Sequence, residues 1–255
     1  MEINWLLREK YGGRMTAAAK RDIARLKNGE HINYVIGWSP FLGCRIDLST
    51  RPLIPRPETE YWTKQAIGMI KKSGAVKPKI LDLFCGSGCI GIAVLKHVPE
   101  AQVDFADIDK KYFTGIRKSL RMNKIKARRA HCIHSDVFKN IGAKKYDYVL
   151  ANPPYIPTTG RVVAKSVLSQ EPRRALFASK DGLRYIRNIL RTGKAHLRLG
   201  GTMIIEFDPP QKRTIANYAK TQGWHTKFFK DQYKRWRFVE LEPNKQKSRP
   251  TTAAL

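Results

Sequence analysis

From Lys79 onward the chain alternates short apolar runs with amphipathic stretches, and few folds accept that pattern. Lys79–Leu83, Val103–Asp107, Ala130–His134, Tyr146–Ala151 and Met203–Glu206 read as strands. Between them, a stretch through Ile90, Ile92 and Leu95 and residues 109–123, 182–197 and 215–222 carry helical spacing. Strands that alternate with helices pack as a mostly parallel sheet with helices on both faces. Residues 226–229 and 237–241 read as a closing antiparallel pair, and 156–180 as a long polar excursion.

The segments before this unit are different in kind. Residues 1–40 read as a short helical segment broken at Gly12-Gly13, with Thr16 capping its second helix. Its apolar stripe (Leu6, Leu7, Ile23, Leu26) is thin, so it is expected to pack on the larger downstream unit rather than bury a core of its own. Residues 41–60 hold a hairpin and a stiff linker with Pro52, Pro55 and Pro57. Thr59 is the expected N-cap of a helix running to Lys72. The main domain is then 61–241, followed by a polar tail, 242–255, expected to be disordered.

In parallel sheets the chemistry sits at the carboxyl ends of the strands. Asn152-Pro153-Pro154-Tyr155 directly follows one strand. Two prolines after an asparagine hold the backbone extended and remove two N–H donors. The resulting turn presents an amide, bare carbonyls and a ring, a set that can hold a planar amide or amidine nitrogen; on loop statistics alone it reads equally as an ordinary turn. After the first strand, Phe84-Cys85-Gly86-Ser87-Gly88 turns into a helix, and Asp107 lies nineteen residues beyond Gly88 at the next strand end. An acid there accepts from ribose hydroxyls. Asp136, after the third strand, is placed to accept from an adenine amino group, with Val137 near the ring. Each acid also reads as a helix or loop cap, but together beside a glycine turn they favour a nucleoside ligand. Gly86, Gly88 and Gly91 formally complete a dinucleotide fingerprint, although a dinucleotide enzyme would not explain the Asn-Pro-Pro-Tyr turn.

Composition narrows the class further. A hydrophobic content of 42% supports a real core, and no apolar run approaches the roughly 20 residues of a membrane span. The start lacks a signal-peptide apolar region, and Glu2, Glu9 and Asp22 sit poorly with a transit peptide. The net charge of +28 suits either a polyanionic neighbourhood or a lysine-rich proteome, with the densest basic stretch at Lys110–Arg129. Cys85 and Cys89 lack the spacing of a zinc pair, so no metal is expected, and Cys44, Cys85, Cys89 and Cys132 read as reduced thiols.

These residues resemble class I S-adenosylmethionine-dependent methyltransferases and, more narrowly, the HemK/PrmC family, which methylates the glutamine of the Gly-Gly-Gln motif in peptide chain release factors. The resemblance covers roughly residues 20–241. It is carried by Leu53–Glu60, the glycine turn, Asp107, Asp136-Val137-Phe138 and Asn152–Tyr155. Glu171-Pro172-Arg173, Ala175-Leu176, Asp181-Gly182-Leu183, Gly201, Glu206 and Gln211 add to it. It implies a Rossmann-like α/β fold, with a mostly parallel seven-stranded sheet and a C-terminal antiparallel strand. It also implies S-adenosylmethionine as cofactor, with S-adenosylhomocysteine as product. The implied cofactor residues are Phe84, Cys85, Gly86, Ser87, Gly88, Asp107, Ile108, Asp136, Val137 and Asn152. Catalysis and substrate binding fall to Asn152, Pro153, Pro154 and Tyr155, with Arg56, Pro57 and Glu58 at the substrate mouth. The acidic Glu58 reads equally as a charge favourable to a helix N-terminus.

Two departures stand out. The family usually has Gly or Cys where Phe84 stands, and the N-terminal region is shorter than the family's helical substrate-binding domain. The expected protein is a monomeric, non-membrane methyltransferase of a release factor, with RNA or ribosome association suggested by charge. Its compartment reads as cytoplasm, with the mitochondrial matrix or another organelle left open. The competing readings are an adenine N6-methyltransferase acting on DNA or RNA, which needs the same grip on an exocyclic amine, and a catalytically weak methyltransferase-fold protein attached to RNA or ribosomes.

Overall fold

The computed structural model describes residues 2–160 and 162–244. It opens with α1 (Glu2–Tyr11), α2 (Ala17–Lys27) and α3 (Ile32–Ile36). Thr16 caps α2 as expected, its hydroxyl accepting from the Ala19 N–H at 3.0 Å. Leu6, Ile32, Val35 and Ile36 form a small buried cluster, more than the thin stripe in the sequence suggested. Asp22 is the polar centre of this piece and accepts from Lys10 (2.7 Å), Tyr11 (2.6 Å) and Arg25 (2.8 Å). Burial by itself pushes the Asp22 carboxyl up, but these donors outweigh it and hold it down at about 2.

Strands β1 (Trp38–Phe41) and β2 (Cys44–Asp47) form an antiparallel hairpin, and α4 (Pro57–Lys72) follows the proline-rich linker. Pro57 takes the first helical turn, where its missing N–H costs nothing, and Arg56 is the N-cap. The cap expected at Thr59 therefore lies upstream of it. Thr59 is buried inside the helix, and its hydroxyl is used in a tertiary contact.

The main unit runs β3 (Lys79–Leu83), α5 (Cys89–His97), β4 (Gln102–Asp107), α6 (Tyr112–Met122), β5 (Ala130–His134), β6 (Tyr146–Ala151), α7 (Lys165–Gln170), α8 (Arg173–Leu176), α9 (Arg184–Thr192), β7 (Leu197–Glu206), α10 (Lys212–Thr221), β8 (Trp224–Lys230) and β9 (Trp236–Pro243). These strands form a seven-stranded sheet in the order β5-β4-β3-β6-β7-β9-β8. β3 to β7 pair in parallel, and β9 runs antiparallel to both β7 and β8. The alternation of side chains along each strand feeds two cores. Ile80, Phe105, Leu150 and Ile204 pack with α4 and α5, while Leu81, Leu83, Val149 and Ile205 pack with α9 and α10. Both faces are covered, which is why these strands read as unbroken apolar runs.

The basic Lys110–Arg129 stretch is half core. Phe113, Ile116, Ser119 and Leu120 of α6 are buried. Ser119 and Asn123 accept from the Asp47 and Arg45 N–H groups of the hairpin, both at 2.9 Å.

Four expectations change. β7 begins at Leu197, well before Met203, because a register shift between Tyr146 and Tyr148 of β6 absorbs the Gly200-Gly201 pair into the strand. The helix expected to reach residue 197 ends its α-helical part at Thr192. The excursion at 156–180 is partly ordered by α7 and α8 and is stitched back by a bridge between Ile156 and Phe177. Of the tail expected to be disordered, Glu242 and Pro243 belong to β9, and 245–255 lie outside the described residues.

Candidate active site

The chain leaves β3 toward β4 and β5, then returns to β6 on the other side of β3. That reversal opens a crevice at the carboxyl ends of these strands. The turn after β3 bends tightly, with positive φ at Phe84, Gly86 and Gly88. Gly86 donates its N–H to Asp107 Oδ2 and Asp109 donates to Oδ1, both at 2.9 Å. Burial pushes the Asp107 carboxyl up, against these backbone donors. The formal third glycine has a packing reason: a Cβ on Gly91 would sit 2.4 Å from the Phe105 ring.

Of the residues expected from sequence, Arg56, Phe84, Cys85, Gly86, Ser87, Asp107, Ile108, Asp136, Val137, Asn152 and Pro154 line one cleft. Gly88, Pro57, Glu58, Pro153 and Tyr155 do not. A Cβ on Gly88 would meet Ile116 at 2.7 Å, so this glycine faces α6. Pro57 and Glu58 occupy the first turn of α4, where the carboxylate is favourable to the helix dipole. Phe84 stands edge-on to Tyr185 with ring centroids 5.3 Å apart, and both rings form a cleft wall.

Tyr155 points into the protein instead. Its hydroxyl donates to Glu206 Oε1 at 2.9 Å. Glu206 ends β7 and is 1% exposed. Its Oε2 accepts from Thr59 Oγ1 at 2.7 Å and Trp62 Nε1 at 2.6 Å. Burial raises the Glu206 carboxyl above its ordinary range, and these donors oppose that. Thr59 Oγ1 in turn accepts from Asn152 Nδ2 at 3.1 Å. Gln211 closes the turn from below, donating to the carbonyls of Tyr155 (2.9 Å) and Asp181 (3.2 Å). A Cβ on Gly182 would fall 2.1 Å from the Tyr155 carbonyl oxygen, so only glycine fits there.

Sequence reasoning missed this buried network. Thr59 had read as a cap, and the signal for Glu206 was an acid ending an apolar strand. It also missed the strap over the cleft. Glu171 accepts from Arg56 at 2.6 Å and from the Ile54 N–H at 3.2 Å, and Gln170 donates to the Gly29 carbonyl at 2.7 Å. The excursion is thereby tied to both the linker and the N-terminal helices.

The residues present fit a nucleoside sulfonium. Asp107 is held rigid by backbone donors and keeps lone pairs for hydroxyls. The Asp136 carboxylate is exposed and has no partner among the described residues. Ile108, 41% exposed, offers an uncovered apolar wall beside them. Among the described residues no group of three or more His, Cys, Asp or Glu side chains is placed to hold a metal, and all four cysteines are free thiols.

Residues 67–176 match the family model of the methyltransferase small domain. The chain is 34% identical to a release factor glutamine methyltransferase of Borreliella burgdorferi, over 86% of this chain and 75% of that one. It belongs to that family. The relationship makes it an S-adenosylmethionine-dependent methyltransferase and removes the dinucleotide reading. Another relative, 31% identical over 79% of this chain and 70% of its own length, is named a 4-amino-L-phenylalanine/4-methylamino-L-phenylalanine methyltransferase of Streptomyces pristinaespiralis. Among solved structures, a methyltransferase from Pyrococcus furiosus covers 88% of this chain and 97% of its own, with a TM-score of 0.57 and 15% identity, a likeness of fold. Relatives of this chain are thus named for different acceptors.

Proposed function

We propose that this methyltransferase acts on the side-chain N5 of the glutamine in the Gly-Gly-Gln motif of a peptide chain release factor. The observation that carries the reading is that Asp107, the glycine turn and Asn152 open onto one cleft. Groups suited to the methyl donor and a group suited to an N–H acceptor substrate therefore share one space. The Borreliella burgdorferi relative, named for the same activity, supports the acceptor.

Bound S-adenosylmethionine supplies an electrophilic methyl group. Asp107 would accept from the ribose hydroxyls and Asp136 from the adenine amino group, with Ile108 and Val137 as apolar neighbours in the same cleft. The backbone of Phe84–Gly88 closes around the rest. An amide nitrogen is a poor nucleophile because its lone pair is delocalised. Asn152 Oδ1 and the Pro153 carbonyl accept its two hydrogens, which orients it and stabilises the charge it develops. Pro154 sets the turn, Tyr155 packs behind it, and Arg56 borders the substrate mouth, with Pro57 and Glu58 following it in the first turn of α4. A monomer in a reducing, cytoplasm-like compartment completes the reading. Four free thiols support it, and among the described residues no helix is long and apolar enough to cross a membrane.

The test is methyl transfer from labelled cofactor to three acceptors in parallel: a release factor, its Gly-Gly-Ala variant, and RNA with DNA. Label on the intact factor alone is expected. Label on nucleic acid overturns the acceptor in favour of adenine methylation.

A second reading concerns charge. At the amino ends of β3, β4 and β5, opposite the strand ends that form the cleft, Lys77, Lys96, Lys124, Lys126 and Arg128 line a groove whose acid is Glu100. None of these five cations is in an ion pair among the described residues. With a net charge of +28, this face suits an RNA backbone. Replacing Lys124, Lys126 and Arg128 together by glutamine is expected to lower the salt slope of RNA binding by about 0.7 per lost contact, with methylation unchanged. An unchanged slope removes the groove from any RNA contact.

A further inference from the structure

An asparagine amide is nearly symmetric in shape, so its neighbours' protons decide which end faces a substrate. Asn152 has one such neighbour. Its Nδ2 meets Thr59 Oγ1 at 3.1 Å, and its Oδ1 accepts no hydrogen bond among the described residues. Thr59 carries a single hydroxyl proton, and that proton is already committed to Glu206 Oε2. The same Oε2 receives the Trp62 indole N–H, a group that can only donate, so this oxygen must act as an acceptor. The proton order therefore runs one way: Asn152 donates to Thr59, and Thr59 donates to Glu206. The other groups facing the carboxylate keep it in that role. Tyr155 donates to Oε1, and the Arg237 guanidinium, itself 3.0 Å from Asp231, acts on it electrostatically.

We propose that Thr59 and Glu206 are positioning residues that set the polarity of the Asn152 amide, so that its oxygen and not its NH2 faces the reacting nitrogen. The proposal rests on the reading that Asn152 grips an acceptor N–H. With the amide reversed, its NH2 would oppose the acceptor's own N–H groups. A donor facing a donor is repulsive in a partly buried site and leaves both unsatisfied. The relay moves no bond and no electrons. It converts a buried carboxylate into a requirement that the acceptor atom carry hydrogens, as an amide or amine nitrogen does and a carboxylate oxygen does not. That is a specificity device built from two buried side chains, Thr59 at the cleft wall and Glu206 hydrogen-bonded to it.

The discriminating pair is Thr59→Val against Thr59→Ser. Valine keeps the shape and removes the hydroxyl, whereas serine keeps the hydroxyl. Thr59→Val is expected to lower kcat on the release factor roughly 10–100-fold, the usual loss when a group orienting an active residue is removed. The acceptor KM and the Kd for S-adenosylmethionine should stay near the parent values, and Thr59→Ser should recover most of the rate. A second readout needs no acceptor: exchange of the Asn152 side-chain NH2 protons with water, assigned by NMR from their loss in Asn152→Ala. The parent and Thr59→Ser should protect one proton, and Thr59→Val neither. Parent-like kcat together with parent-like protection in Thr59→Val overturns the relay. A parent that methylates no release factor sinks the reading of the acceptor, and the amide exchange still decides the relay.

Discussion

Asn152→Ala is expected to lower kcat about a thousandfold while leaving S-adenosylmethionine affinity within about twofold of the parent, the scale seen when one preorganised polar group is taken from a transition state. The separation of the two effects follows from position. Asn152 and Asp107 share the cleft, but Asp107 is on the strand β4 side and Asn152 follows β6. On the proposed mechanism, removing the Asn152 amide deletes the acceptor that orients the incoming nitrogen and stabilises its developing charge. It leaves the Pro153–Pro154 backbone and the Thr59–Glu206 contact in place. Folding should survive because Asn152 is only half-buried and its side-chain partner, Thr59, keeps Glu206. Binding of labelled cofactor and single-turnover methyl transfer, measured on the same preparation, decide the matter. Parent-like turnover would take Asn152 out of the mechanism, and a parallel loss of cofactor binding would move it to the donor side.

The second large effect is at the opposite end of the cleft. Asp107→Ala is expected to weaken S-adenosylmethionine binding roughly 100-fold, as two charge-assisted hydrogen bonds to hydroxyls are lost. At saturating cofactor, kcat should stay within a few-fold of the parent, because the group does not touch the reacting nitrogen. Asp107→Asn is the gentler control. It keeps one oxygen for the Gly86 N–H at Oδ2 and so preserves the glycine turn. Burial raises the Asp107 carboxyl, so the parent's affinity should also fall on acidification earlier than for an ordinary exposed aspartate. Calorimetric titration of the three proteins tests this. An unchanged Kd in Asp107→Ala would end its assignment to the ribose.

The parts of this site that were readable in the sequence are local ones. The glycine turn, Asp107, Asp136 and the Asn-Pro-Pro-Tyr turn each occupy a few consecutive positions at a strand end, and strand ends are visible as the limits of apolar runs. Their convergence followed from parallel topology alone. Pro57 shows how local rules compete. Thr59 was a reasonable cap, but proline belongs at the start of a helix, and that preference set the boundary upstream. The start of β7 was placed at Met203 because a glycine pair interrupts the apolar run, and only pairing with β6 shows that the strand continues through it from Leu197.

Periodicity and strand-end residues are properties of neighbours along the chain, so the architecture and the donor chemistry of this methyltransferase were already legible in its residue order. The hydrogen bonds that hold Asn152 were not, because they depend on residues that meet only in the folded chain. Thr59 and Glu206 lie 147 positions apart, and nothing in either segment announces the other. Their meeting depends on α4 packing across the end of β7, where a buried carboxylate must find donors or destabilise the fold. The donors it finds are Thr59, Trp62 and Tyr155, and Thr59 in turn accepts from Asn152.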